Sequence, residues 1–528
     1  MIRPTSLAAA LGAALTIPGV ACAQGVEQRL EAMERTLAAQ AEQIARQQAE
    51  IADLRRQLTA SAPQATAPAD LAQAVQQQAL VEQDRTRLTY NNARATIGSP
   101  DGRNTLTFRG LMQMDAAHYM QAAEGPLGAD FRRGSVGGGR ENNAARDLSD
   151  GLYFRRVRLG VEGVFSRDFG YRLIGELGGS GTEGPARIND AWISYTGFAP
   201  FTLQAGAFSP PANMEDGMSS EDTLFSERSS PSELSRALAG GDGRIGLGVR
   251  IAQPRWMGAV TLTSRTINDA EVFDSQTAVV GRVGGLVATS NDYNVHLGAS
   301  GTYVFEPADQ GSSAAAPRRF VRLRDRPELR VDSTRLIDTG AVEADGAHVA
   351  GLEFGANLRN LYIQAEHFWF GIDRPAGLGL PDPRFTGGYV QGSWIITGEA
   401  RRYNAASGAF QNPRPRSPFT ASGGTGAFEL AARYSSVDLD FMEGAAGAAT
   451  PAGGIRGGRQ EVWTVGLNWY PNANVKLALD YMDISVERLN PAGPGNLTPF
   501  GAGAATPPIG AEIGQDLGVV VLRSQFAF

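Results

Sequence analysis

Residues 318–330, RRFVRLRDRPELR, hold six arginines against two acids, Asp325 and Glu328. A guanidinium stays charged at any working pH and presents a planar fork of donors that matches phosphate or carboxylate oxygens. In extended backbone, alternate side chains fall on one side about 6.6–6.8 Å apart. Arg322, Arg324 and Arg326 would then share an edge, flanked by Arg318, Arg319 and Arg330. That spacing is shorter than the Debye length of about 8 Å in physiological salt, so neighbouring fields merge into one positive track. Several weak sites in series let an anion move without being trapped. The chemistry on offer is the binding and guiding of anions. On a solvated loop outside any channel the same residues would guide nothing, so the surrounding elements decide the reading.

Those elements begin with an acidic chain of 528 residues and formal net charge -7. Its 48 basic residues include one lysine, Lys476. The local excess of the arginine run therefore runs against the overall charge. His118, His296, His348 and His367 stand in no recognisable nucleophile motif, and the chain does not read as an enzyme. No metal-ligand cluster, phosphate-cradling glycine loop or nucleic-acid motif is present, so no cofactor and no nucleic-acid partner is expected.

Residues 1–23 read as a secretory signal: Arg3 opens it, an apolar stretch follows from Leu7 to Val20, and Ala21-Cys22-Ala23 is the cleavage site. Acylation of Cys22, the one cysteine, would require a bulky aliphatic residue where Gly19 stands. In 24–60, Leu30, Leu37, Ile44, Ile51 and Leu58 recur every seven residues, with Val26, Met33 and Leu54 in the second seam. This heptad pattern predicts a self-associating coiled coil. Residues 61–104 are expected to be a Pro/Ala linker and a short helix.

From residue 105 to 528 the period drops to two. About sixteen segments of 8–14 residues alternate apolar or aromatic with polar or glycine, as in LYFRRVRLGVEGVF and VKLALDYMDISVE. Short turns such as 166–168, 359–360 and 471–474 alternate with long connections at 120–151, 209–243, 306–347, 438–458 and 488–515. One long connection, 400–425, falls on the short side. The rhythm predicts an all-β, 16-stranded antiparallel transmembrane β-barrel with short periplasmic turns and long outer loops. The chain ends in a strand closing with Phe528. Trp463, Trp469, Tyr470 and Tyr481 suit aromatic girdles. Arginine on the lipid face costs about 2–4 kcal/mol at mid-depth. Parity therefore turns Arg156, Arg158, Arg172, Arg433 and Arg523 toward the lumen.

The stretches LYFRRVRLGVEG, INDAWISYTGF, MSSEDTLFSERS, GGYVQGSWIITGEARRYN, AFELAARYSSVDL and GGRQEVWTVGLNWYPNANVKLALDYM, with the arginine run, resemble the phosphate-selective porins O and P of Gram-negative outer membranes. The resemblance implies a trimer in outer-membrane lipid, with its coiled coil in the periplasm, that passes small anions such as phosphate. It also implies a pore narrowed by 209–243, 306–347 and 400–425. Arg228 would lie in the constriction loop and Arg401 and Arg402 in the inward periplasmic turn; the run at 318–330 would be an arginine ladder. Phosphate-specific members carry lysine in the constriction loop. This chain carries Glu215, Asp216, Glu221 and Asp222 there instead. The alternative is a general or organic-acid pore without phosphate specificity.

Overall fold

A computed structural model describes residues 86–91, 93–121, 148–179, 186–269, 273–311, 318–332, 334–491 and 509–528, with isolated positions elsewhere. The chain divides into two units, Met1–Gln83 and Asp84–Phe528. The signal segment, the heptad helix and residues 61–85 lie outside the described residues, apart from isolated positions.

Sixteen strands form the wall. They are β1 (Thr105–Gln121), β2 (Gly151–Phe165), β3 (Phe169–Glu176), β4 (Arg187–Tyr195), β5 (Phe201–Phe208), β6 (Arg244–Ala252), β7 (Trp256–Thr266) and β8 (Thr277–Thr289). Then come β9 (Tyr293–Glu306), β10 (Gly346–Leu358), β11 (Leu361–Asp373), β12 (Arg384–Ile395), β13 (Ala427–Phe441), β14 (Ile455–Tyr470), β15 (Val475–Glu487) and β16 (Gln515–Ala527). Each strand pairs antiparallel with the next, and β16 pairs back onto β1, closing the ring. Closure leaves the sixteen strands without the unpaired sheet edges that cannot exist in lipid. The turns at 166–168, 196–200, 253–255, 290–292, 359–360 and 471–474 are short. The long connections stand at the opposite end, except 396–426, which joins β12 to β13 on the short-turn side.

The wall is inverted relative to a soluble sheet. On β14 and β15, Trp463, Val465, Leu479 and Tyr481 are exposed while Thr464, Asn468, Lys476 and Asp480 are buried. An apolar outside and a polar inside suit a lipid solvent. Toward the outer ends parity holds but polarity reverses. On β15 the inward residues become Met482, Ile484 and Val486, and the outward ones become Asp483, Ser485 and Glu487. The outer ends therefore rise above the lipid band. Inside them, Leu517, Val519 and Val521 of β16 pack in one apolar cluster with Leu323, Leu329, Leu336 and Ile337 of the 307–345 connection. Each such leucine contributes about 1.5–3 kcal/mol on full burial, which holds that connection inside the barrel. Two outward aromatic belts flank the band: Tyr434 against Trp463 at one end, Phe165 against Phe169 and Phe428 against Trp469 at the other. Tyr470 is not a girdle residue. It points inward and its hydroxyl donates to Glu429 at 2.6 Å.

The interval 61–104 also departs from a linker and helix at its end. Arg87–Asn91 and Arg94–Gly98 form a β-hairpin. Its second strand pairs with the start of β1. Local alternation in RLTY and RATIG, with Ala93 at positive φ in the turn, won over the helical pattern upstream.

Candidate functional site

Two connections cross the lumen. The first, 209–243, carries α1 (Met214–Gly217) and α2 (Ser230–Ala239). It starts at β5 and is tied to strands across the ring. The amides of Met214 and Glu215 donate to Glu366 on β11, at 2.7 and 3.0 Å. The hydroxyl of Ser226 donates to Asp480 on β15 at 2.7 Å. Lys476 Nζ donates to the Thr223 carbonyl at 2.7 Å, and Gln113 Nε2 on β1 to the Ser220 carbonyl at 2.9 Å. Gly466 on β14 lets Phe225 approach the wall, where an added Cβ would meet its ring at 3.2 Å.

The second connection, 307–345, docks on the first. Glu328 accepts from the Ser230 amide at the start of α2 at 2.8 Å, and pairs with Arg433 of β13. Arg330 donates to Glu233 of α2 at 2.7 Å. Asp332 accepts from Ser149, and its amide donates to the Tyr119 hydroxyl of β1.

Most arginines singled out by type and spacing lie against acids. A bulge on β2 is one reason: Gln113 pairs with Arg156 but Met114 pairs with Phe154, so Arg155 is the extra residue. Both Arg155 and Arg156 are buried, and sequence parity missed the first. Glu227 of the first connection is the hub. It accepts from Arg155 at 2.5 Å, lies 3.1 Å from Arg523, 3.5 Å from Arg156 and 3.8 Å from Arg330. Burial pushes the Glu227 carboxyl up, but Arg155, Arg156 and Arg523 together hold it well below the usual range. Arg523 also clamps Asp115 with two bonds of 2.6 Å. Arg158 bridges Glu176 and Asp242, and Arg172 pairs with Glu162. Arg401 clamps Glu429 at 2.7 and 2.9 Å. Arg228 makes no direct ion pair with the nearby acids Glu227 and Glu221; it donates to the carbonyls of Glu215 and Met218.

The run at 318–330 is not a uniform ladder. Arg319 pairs with Glu306, Arg322 with Asp338, and Arg318 lies over the Phe320 ring at 5.4 Å. Extended pairing ends at Asp325. Arg326 precedes Pro327 at a chain reversal, where its carbonyl accepts from the Glu328 amide, and its side chain is buried. It therefore leaves the edge that Arg322 and Arg324 share. Among the described residues Arg324 and Arg335 make no direct ion pair, although the charges of Asp338 and Asp325 reach them. Burial, then Arg326 and Arg324, push Arg335 down to about 10, which leaves it charged at neutral pH. Sequence reasoning passed over Arg335 because it stands alone.

Beside the first connection the lumen opens into a cavity of about 530 Å³, lined by Arg109, Arg172, Arg228, Arg250, Asp190 and Asp216 among others. A second of about 200 Å³ is lined by Arg402, Arg414, Asn412 and Asp222. Arg250 and Arg402 donate to the carbonyls of Ala406 and Asn412 rather than to acids. The chemistry available is reversible binding of charged solutes; the lining mixes both signs.

A family model described as phosphate-selective porin O and P matches residues 125–495. A porin O of Pseudomonas aeruginosa is 23% identical over 376 residues, 69% of this chain and 83% of that protein. An uncharacterized protein of Caulobacter vibrioides is 25% identical over 389 residues, 71% of each chain. Among solved structures, an anion-selective porin from Comamonas acidovorans is 13% identical with a TM-score of 0.44, covering 80% of this chain and all of that one.

Proposed function

Because the chain belongs to the phosphate-selective porin O and P family and is an outer-membrane porin, we propose that it passes small anions by diffusion along an interrupted arginine path. Phosphate and polyphosphate are among the solutes, and the working unit is a homotrimer. The observation that carries this reading is the pair Arg324 and Arg335. Both lie on the second connection across the lumen, and neither makes a direct ion pair among the described residues. Further inward, Arg228, Arg250 and Arg402 spend their donors on carbonyls and keep their charge uncompensated by a direct ion pair. The other arginines fasten the inward connections to the wall. An anion then meets separated positive stations, each weak enough to release it.

A second reading, a general or organic-acid porin, is favoured by the acids of the constriction loop and by the use of the single lysine, Lys476, to hold a backbone carbonyl. Bilayer recordings with phosphate titration separate the two. Block of chloride current at millimolar phosphate or below supports the phosphate channel, and its absence supports the general pore. Replacing Arg324 and Arg335 together with alanine is expected to lower the anion-to-cation permeability ratio. An unchanged ratio contradicts the role given to them.

A further inference from the structure

The periplasmic mouth contains a charged residue that no strand of the ring supplies. β16 ends at Ala527, opposite Leu111, and Phe528 exchanges backbone bonds with Gly110. The start of β1 runs on below that point. Its free edge is taken by the hairpin strand Arg94–Gly98, with Thr96 opposite Thr107 and Gly98 opposite Thr105. The hairpin thus continues the line of β16 and covers an edge that would otherwise stand open.

Continued two residues past its last pair, Thr96 opposite Thr107, that register brings Arg94 toward Arg109, and the two charges oppose each other. Like charges brought close on neighbouring strands are destabilising, so each needs an acid. Arg109 donates to Glu162 of β2 at 2.9 Å. Arg94 reaches the constriction loop and donates to Glu221 at 3.2 Å. Glu221 sits where three parts of the fold meet: its carbonyl accepts from Gln525 of β16 at 3.0 Å and from Asn412 of the inward turn at 2.6 Å. Arg94, Glu221 and Asp222 line both the larger and the smaller cavity. Arg94 therefore stands in the partition between them. Its side chain is 32% exposed, so it meets water and passing solute as well as Glu221.

We propose that Arg94 is a specificity-determining residue of the periplasmic mouth: it offsets the adjacent acids Glu221 and Asp222 and keeps that mouth open to anions. The hairpin outside the ring is thereby part of the permeation path. This inference rests on the porin reading.

The test is the reversal potential of the full-length protein in a planar bilayer under a potassium chloride gradient. Arg94→Ala is expected to lower the anion-to-cation permeability ratio about two- to threefold, since a charge acts on ions within a Debye length of about 8 Å. Glu221→Gln is expected to raise it, and the double variant to return toward wild type. Arg94→Lys should keep the wild-type ratio. An Arg94→Ala channel with the wild-type ratio overturns the proposal. If that variant does not assemble, Glu221→Gln decides: a raised ratio supports the proposal, and an unchanged one overturns it. A wild-type protein that carries no current would defeat the porin reading itself. A conducting wild type with an indistinguishable Arg94→Ala variant defeats this inference alone.

Discussion

At the scale of residues, arginine does two different jobs here, and carboxylate distance separates them. Arg523 is buried and clamps Asp115. Removing one member of a buried pair leaves the other charge uncompensated, at about 3–5 kcal/mol. Arg523→Ala should therefore lower the temperature at which the folded form is lost on a heat-modified gel, whereas Arg324→Ala should leave it in place. A titrating acid makes a second prediction. Burial first, and then the charge of Glu221, pushes the Asp222 carboxyl up to about 6. Its surroundings are Glu221, Arg401 and Arg402, with the Asn412 amide on its oxygen at 2.9 Å. As pH falls through 6, Asp222 takes up a proton and one negative charge leaves the mouth. Anion preference should rise between pH 7 and pH 5, and Asp222→Asn should flatten that part of the profile. A wild-type profile already flat over this range would contradict the assignment.

At the scale of elements, period-two alternation made the strand faces legible, because lipid punishes a charged residue on the wrong side. The inward placement of Arg156, Arg158, Arg172, Arg433 and Arg523 follows from that rule alone. What alternation cannot show is an extra residue in a strand. The bulge at Arg155 has no local signature, yet it delivers the shortest contact to Glu227. Nor can spacing show which arginines are neutralised, since the acids that meet them come from far along the chain. Glu328 is the clearest case. It joins the second connection to α2 and to Arg433 at once. Glu328→Ala should loosen that connection, raise single-channel conductance and lower thermal stability. Unchanged conductance would mean that the connection is held by its apolar cluster alone.

At the scale of the whole molecule, the alternation of short and long connections told the two ends of the barrel apart. It also flagged 400–425 as a long connection on the short-turn side, which the structure bounds at 396–426. The reversal of polarity near the outer ends was less legible, because the strands continue unbroken while the solvent outside them changes. Val465 is exposed within the lipid band. Val465→Arg should cost about 2–4 kcal/mol and reduce insertion into lipid, read as loss of the folded form in membranes. The hairpin at Arg87–Gly98 escaped sequence reading because the helical pattern before it runs up to its first residue.

Positive charge without a direct ion pair in the lumen is expected to outweigh the acids of the 209–243 connection. The reversal potential of the wild-type protein in a planar bilayer under a salt gradient tests it most directly. Anion preference is the predicted result. Cation preference would mean that the acids around Glu221 and Asp222 govern the path and that the arginines do not.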